Sequence, residues 1–194
     1  HALLMDARTG QVLARKRSGE EAAPASLTKM MTVLLAAEAL PDLDTPVTLP
    51  EDIFPALYKA DASMAGFQPG ETVTVRDLLY GAMLPSGAEC CEALARQVSG
   101  SEEAFVERMN QRAAELGMAD THFCNATGLP AEGHVTSAYD IALMSRELIR
   151  NHPDIRQYTT IWMDSLRDGA SSLVNTNRLI RFYQGATGLK TGST

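Results

Sequence analysis

Two short aliphatic runs open the chain, at residues 2–6 and 11–17, with Ala7-Arg8-Thr9-Gly10 between them. This pattern predicts two strands joined by a turn that ends in glycine. After Pro24-Ala25-Ser26 the pattern changes. Residues 27–40 are rich in Met, Leu and Ala on nearly every face, which predicts a buried helix stopped by Pro41. Residues 46–50 read as a short extended piece. Residues 51–71 read as a loop, broken by Gly66, Pro69 and Gly70. Thr74 followed by Asp77 has capping-box spacing and predicts a helix to about Met83, before a tight Pro85-Ser86-Gly87 loop. Helices are expected at about 89–98 and 102–116, the second capped by Ser101 and stopped by Gly117. Residues 120–135 look irregular. Ser137, with Asp140 three residues on, predicts a cap for an amphipathic helix to about Arg150, and Pro153 a short turn. The tail, 160–166 and 188–194, reads as strands around a hairpin and a polar loop.

Strands therefore fall at both ends and helices in the middle. The economical architecture is α/β (α+β): an antiparallel sheet built from both termini and flanked by helices, with an α-helical lobe at about 41–150 inserted into a single 1–194 domain. Composition fits an ordered domain, with 45% hydrophobic and 21% charged residues. The net charge of −7 speaks against a nucleic-acid partner and against a polybasic membrane patch. No run of 18 apolar residues is present. There is no signal peptide; the chain opens at His1 into a strand-like run, read as a mature or trimmed end that says nothing about secretion. Cys90, Cys91 and Cys124 fit no zinc spacing and are expected as small apolar core residues. His1, His122, His134 and His152 lie in no catalytic motif and are expected in loops or at the surface.

Lysine is more informative. The chain uses 13 arginines but only four lysines, at 16, 29, 59 and 190. Arginine keeps its proton in proteins, whereas a buried lysine can act as a base. Lys29 lies three residues after Ser26, on one helical face and one turn into the apolar helix. Ser26 would sit at the helix amino end, where free N–H groups favour developing negative charge. Burial would lower the lysine pKa, giving a nucleophile and its base in one turn. An S-x-x-K by chance is expected roughly 0.25 times in this composition, so it is weak alone. Lys190-Thr191-Gly192 is sharper, expected by chance only about 0.02 times. Ser86 gains weight only from its place between the two.

Ser26-Leu27-Thr28-Lys29, Ser86-Gly87-Ala88 and Lys190-Thr191-Gly192 resemble, in order and spacing, the S-x-x-K, S-x-N and K-T-G motifs of penicillin-recognising serine enzymes. Flanking segments resemble the low-molecular-weight D-alanyl-D-alanine carboxypeptidases. They are 25–31, Pro69-Gly70-Glu71, 75–79, 125–130 (N-A-T-G-L-P), Asn175-Thr176-Asn177 and 188–194. The resemblance implies a five-stranded sheet beside a helical lobe, with the site between them. It implies Ser26 as nucleophile, Lys29 as base and Ser86 as proton relay. Lys190 and Thr191 would recognise a terminal carboxylate, Gly192 would let the substrate backbone approach, and the N–H groups of Ser26 and Ser193 would form the oxyanion hole. The implied partners are peptidoglycan stem peptides ending in D-Ala-D-Ala and β-lactams, with no metal or cofactor. The implied location is extracytoplasmic, with membrane attachment only through segments outside this chain.

Two departures stand out. The second motif ends in Ala88 where the family has Asn, and Glu89 or Asn125 are the candidates to fill in. The chain stops two residues after the third motif, where further strands are expected. Two alternatives remain: a β-lactam sensor or peptidoglycan-binding module that acylates and stops, and a class A β-lactamase. The latter needs an E-x-x-L-N stretch, and residues 120–135 carry Glu132 without one.

Overall fold

The computed structural model describes every residue except Arg167, Asp168, Ala170 and Thr194. Strands β1 (Ala2–Met5) and β2 (Val12–Lys16) pair antiparallel. The Asp6 carboxylate accepts the Thr9 N–H at 2.7 Å, and Gly10 takes φ +78° to close the turn. A 3-10 turn, Ala25–Thr28, leads into helix α1 (Lys29–Ala39), which is buried from Lys29 to Ala36. Strand β3 (Pro46–Thr48) follows, then a 3-10 turn at Glu51–Ile53 and helix α2 (Phe54–Lys59). Strand β4 (Thr72–Thr74) pairs with β3. Thr74 and Asp77 form a reciprocal capping box on helix α3 (Val75–Met83). Helices α4 (Ala88–Ser99) and α5 (Glu102–Glu115) complete the central layer, with Ser101 capping α5 through the Ala104 N–H.

Helix α6 (Ala138–Asn151) is capped by Ser137 accepting the Asp140 N–H at 3.2 Å. The Asp140 carboxylate accepts from Asp120 N and Thr121 Oγ1, stitching the irregular 120–136 segment to α6. Helix α7 (Ile155–Thr159), strands β5 (Met163–Leu166) and β6 (Ser171–Val174) and helix α8 (Leu179–Phe182) end the order. The core is the all-round apolar α1 enclosed by α3, α4 and α5, with Met31, Val33, Leu34, Leu78, Leu94 and Phe105 fully buried.

Several sequence expectations change. Residues 51–71 are not all loop: Phe54 and Leu57 are apolar residues three apart that anchor α2, and Pro55 is tolerated in its first turn. The Pro153 turn grows into α7. Strands occur at both ends, but the described residues form three separate two-stranded ribbons rather than one sheet joining the termini. Residues 188–193, expected as a strand, carry no strand pairing, and Thr194 lies outside the described residues. β1 and the 187–190 segment instead both line an apolar groove of about 800 Å³. His134 lies in a loop, as expected, but is buried there, and its Nε2 lies 2.9 Å from Thr28 Oγ1. Burial lowers its pKa to about 4, so the ring is neutral. Cys90 and Cys91 are buried free thiols, and Cys124 is half-buried and free.

Candidate active site

Ser26 lies in the 3-10 turn before α1. Its preceding residue, Ala25, has φ +46°, a strained position for a side-chain-bearing residue. The Leu27 N–H closes the turn on Pro24 O at 3.1 Å. One turn on, Lys29 Nζ lies 3.2 Å from Ser26 Oγ and donates to the Thr127 carbonyl at 2.5 Å. Lys29 is 3% exposed, and burial lowers its pKa. Negative charge on Cys91, Cys90 or Glu89 would oppose that shift. The thiols do not supply it at neutral pH, because burial pushes Cys91 up to about 12 and Cys90 upward as well.

The Thr127 carbonyl is aimed by the N-A-T-G-L-P segment. Asn125 Oδ1 accepts from Thr127 N at 3.2 Å and Gly128 N at 2.7 Å, and its Nδ2 donates to Leu129 O at 2.9 Å. Gly128 has φ +84°, and a Cβ there would lie 1.9 Å from Ala25 O. Only glycine lets this loop press against the serine turn.

In the second motif, Ser86 has φ +71° and is 4% exposed. Its Oγ is buried without a hydrogen-bond partner among the described residues. Gly87 has no room for a side chain, since a Cβ would meet Ala65 Cβ at 2.7 Å. Ala88 is buried and its N–H donates to Ser63 O at 2.8 Å. Neither candidate replacement for the missing amide bonds Lys29. Glu89 Oε1 accepts from Ala65 N at 2.7 Å and Gly66 N at 2.9 Å, and Asn125 is spent on its own loop. The Thr127 carbonyl is the group that takes Lys29.

The third motif is tied down by the Asn175-Thr176-Asn177 segment. Asn177 Nδ2 donates to Gly188 O at 3.0 Å, Thr176 Oγ1 lies 2.6 Å from Thr191 Oγ1, and Asn175 Nδ2 donates to Ile161 O at 2.8 Å. A Cβ on Gly192 would meet Pro24 O at 3.2 Å and Leu27 Cγ at 3.3 Å, so this residue packs on the serine turn; Ser193 beside it is exposed. The Lys190 pKa falls to about 8, through burial first and then the nearby positive charge of Lys29.

The structure thus brings Ser26, Lys29, Lys190 and Gly192 together, while Ser86 joins them by no hydrogen bond. The apolar groove touches Leu27 and Lys190 but is lined by neither Ser26, Lys29 nor Ser86. Sequence reasoning missed the Thr127 carbonyl and the Thr176 hydroxyl. A backbone acceptor has no letter of its own; Thr176 stood in a segment noted only for its resemblance. Glu38, Glu147 and His152 place ligand atoms within 4.8 Å of one another. Arg112 occupies them, at 2.8 Å from Glu38 and 2.7 Å from Glu147, making an ion-pair network between α1, α5 and α6.

The profile of a family described as D-alanyl-D-alanine carboxypeptidase matches residues 1–194. The D-alanyl-D-alanine carboxypeptidase DacF of Bacillus subtilis is 44% identical over 200 residues, covering 100% of this chain and 50% of that protein. The Escherichia coli carboxypeptidase DacD is 36% identical, covering 99% and 51%. Among solved structures, a Streptomyces DD-transpeptidase superposes with TM-score 0.92 at 29% identity over 99% of this chain and 79% of its own. Penicillin binding protein 5 of Haemophilus influenzae gives TM-score 0.91 at 29% identity over 99% and 56%. The chain spans about half the length of the curated relatives named here.

Proposed function

Because this chain belongs to the D-alanyl-D-alanine carboxypeptidase family, we propose that it removes the terminal D-alanine from peptidoglycan stem peptides through an acyl-enzyme on Ser26. The observation that carries this is the buried Lys29 amine 3.2 Å from Ser26 Oγ. Neutral Lys29 takes the hydroxyl proton as Oγ attacks the carbonyl of the penultimate D-alanine. The N–H groups of Ser26 and Ser193 hold the oxyanion. Ser86, whose hydroxyl has no hydrogen-bond partner among the described residues, passes a proton to the departing D-alanine amine. Water then releases the shortened peptide.

The two lysines divide the work. Both are desolvated, and the Lys29 charge lowers Lys190 further, so two ammonium groups side by side are disfavoured; in this proposal Lys29 is the one that is neutral when it takes the Ser26 proton. Lys190 and the Thr191 hydroxyl then meet the substrate carboxylate with charge-assisted hydrogen bonds. Side chains and backbone handle every proton and charge, so no metal or cofactor is assigned. β-Lactams, which present a carbonyl and a carboxylate, would acylate Ser26 in the same way. In this proposal residues 1–194 form one catalytic unit, with 41–150 as its helical lobe. It works where stem peptides are, outside the cytoplasmic membrane. Among the described residues no helix is long and apolar enough to cross a membrane, so attachment would come from other segments.

Ala88 favours one alternative: a β-lactam sensor or wall-binding module that acylates and stops. Release of free D-alanine from diacetyl-Lys-D-Ala-D-Ala separates the two. Catalytic release well beyond one equivalent is expected. A single equivalent or none, from protein that still binds penicillin, would favour the sensor.

A further inference from the structure

Glu92 and Glu102 have no part in the scheme above, yet they stand beneath it. Glu92 lies on α4 and is only 9% exposed, a costly place for a carboxylate. Arg96 on the same helix is engaged by Asp52 at 2.8 Å. Facing Glu92 from α5 are two more acids, Glu102 and Glu103. Two carboxyl groups meeting in such a space cannot both ionise readily; they share one proton. Burial first, and then the Glu102 charge, push Glu92 up to about 8, so Glu92 keeps its proton at neutral pH and can donate it in a hydrogen bond to Glu102.

Glu102 uses its other capacity on the catalytic loop. Its Oε1 accepts the Ala126 N–H at 3.0 Å, while the Ala126 carbonyl accepts Thr32 Oγ1 from α1 at 2.7 Å. The next carbonyl, that of Thr127, holds Lys29. We infer that Glu102, held by the Glu92 carboxyl, is a positioning residue for the Ser26–Lys29 pair. It fixes the backbone at 126 and 127, and through the Thr127 carbonyl it sets the direction of the Lys29 amine. A neutral amine that gives one N–H to Thr127 O turns its lone pair elsewhere, and Ser26 Oγ is the group 3.2 Å away. With alanine at 88 instead of an amide, this backbone support carries more of the orientation. The inference rests on the proposed acylation of Ser26. Once Glu92 loses its proton, two facing carboxylates repel and the support loosens.

The test is the rate of Ser26 acylation by a fluorescent penicillin on the full chain, with folding followed by circular dichroism. Wild type separates the two ideas. If folded wild type takes up no label, the acyl-transfer function and this inference both fall; if it labels, the variants judge the inference alone. Glu102→Ala should acylate at least about tenfold more slowly, with apparent penicillin affinity changed by less than about threefold. Glu102→Gln should recover most of the rate, since its amide oxygen accepts the Ala126 N–H and its amide nitrogen donates to Glu92. If Glu102→Ala does not fold, the pH profile of Glu92→Gln decides. Its ratio of rates at about pH 9 and pH 7 should lie several-fold above that of wild type, because an amide keeps donating where the acid has ionised. A folded Glu102→Ala as fast as wild type, a Glu102→Gln no faster than the alanine variant, or pH ratios that superimpose would each overturn the inference.

Discussion

Lys29 and Lys190 show how much a single side chain depends on where it is buried. Lys190, with its pKa lowered to about 8, is an ammonium below that pH and loses the charge above it. Recognition of a substrate carboxylate should therefore be present at neutral pH and fade as pH rises through about 8. Arginine does not deprotonate in this range. We expect Lys190→Arg to be slower at neutral pH, because a planar guanidinium fits the space less well. Its kcat/KM should fall at least about threefold less than wild type's between roughly pH 8 and 9.5. Parallel declines in the two proteins would show that Lys190 does not set this limb. At Ala88, the Thr127 carbonyl already takes Lys29, so Ala88→Asn should change turnover by less than about tenfold. A hundredfold rise in D-alanine release would instead mark the wild-type site as degenerate.

Among the elements, those with a strong local signal were legible from the sequence. The Thr74–Asp77 capping box and the Ser101 and Ser137 caps all stand where the spacing put them. Helix α2 was hidden because its two anchors, Phe54 and Leu57, lie in a short segment ahead of the breakers that dominate residues 51–71. Strand β4 was hidden because three residues paired with β3, far off in sequence, leave no period to read. The loop at 125–130 was legible as a resemblance but not as a device. Its role lies in φ angles and close approaches, which show only in three dimensions. Gly128→Ala tests that role. A Cβ would strike the Ala25 carbonyl, and φ +84° is unfavourable for alanine. We expect a loss of more than about 3 kcal/mol in thermal or denaturant unfolding, with acylation lost before global unfolding. A variant with unchanged melting and unchanged penicillin uptake would show that the loop does not support the serine turn.

For the whole molecule, the chain order of the three motifs was readable in advance because their Ser, Lys, Thr and Gly residues are distinctive letters. Their assembly was not. Lys190 and Gly192 reach the serine turn because Asn177, Thr176 and Asn175 anchor the tail, and Gly192 packs on Pro24 and Leu27. The α+β class was legible from strands at the ends and helices between them, whereas which strands pair depends on distant partners that no local pattern reveals. What the molecule as a whole presents is a half-buried Ser26 hydroxyl beside a buried Lys29 amine, supported from three sides: the α1 core, the 125–130 loop and the tail. Intact-protein mass after incubation with benzylpenicillin, followed by peptide mapping, probes that assembly in one step. We expect one penicillin per chain, on the peptide that contains Ser26, and none on Ser26→Ala. A folded chain that gains no mass, or an adduct mapped to another residue, would contradict an acyl-enzyme at Ser26.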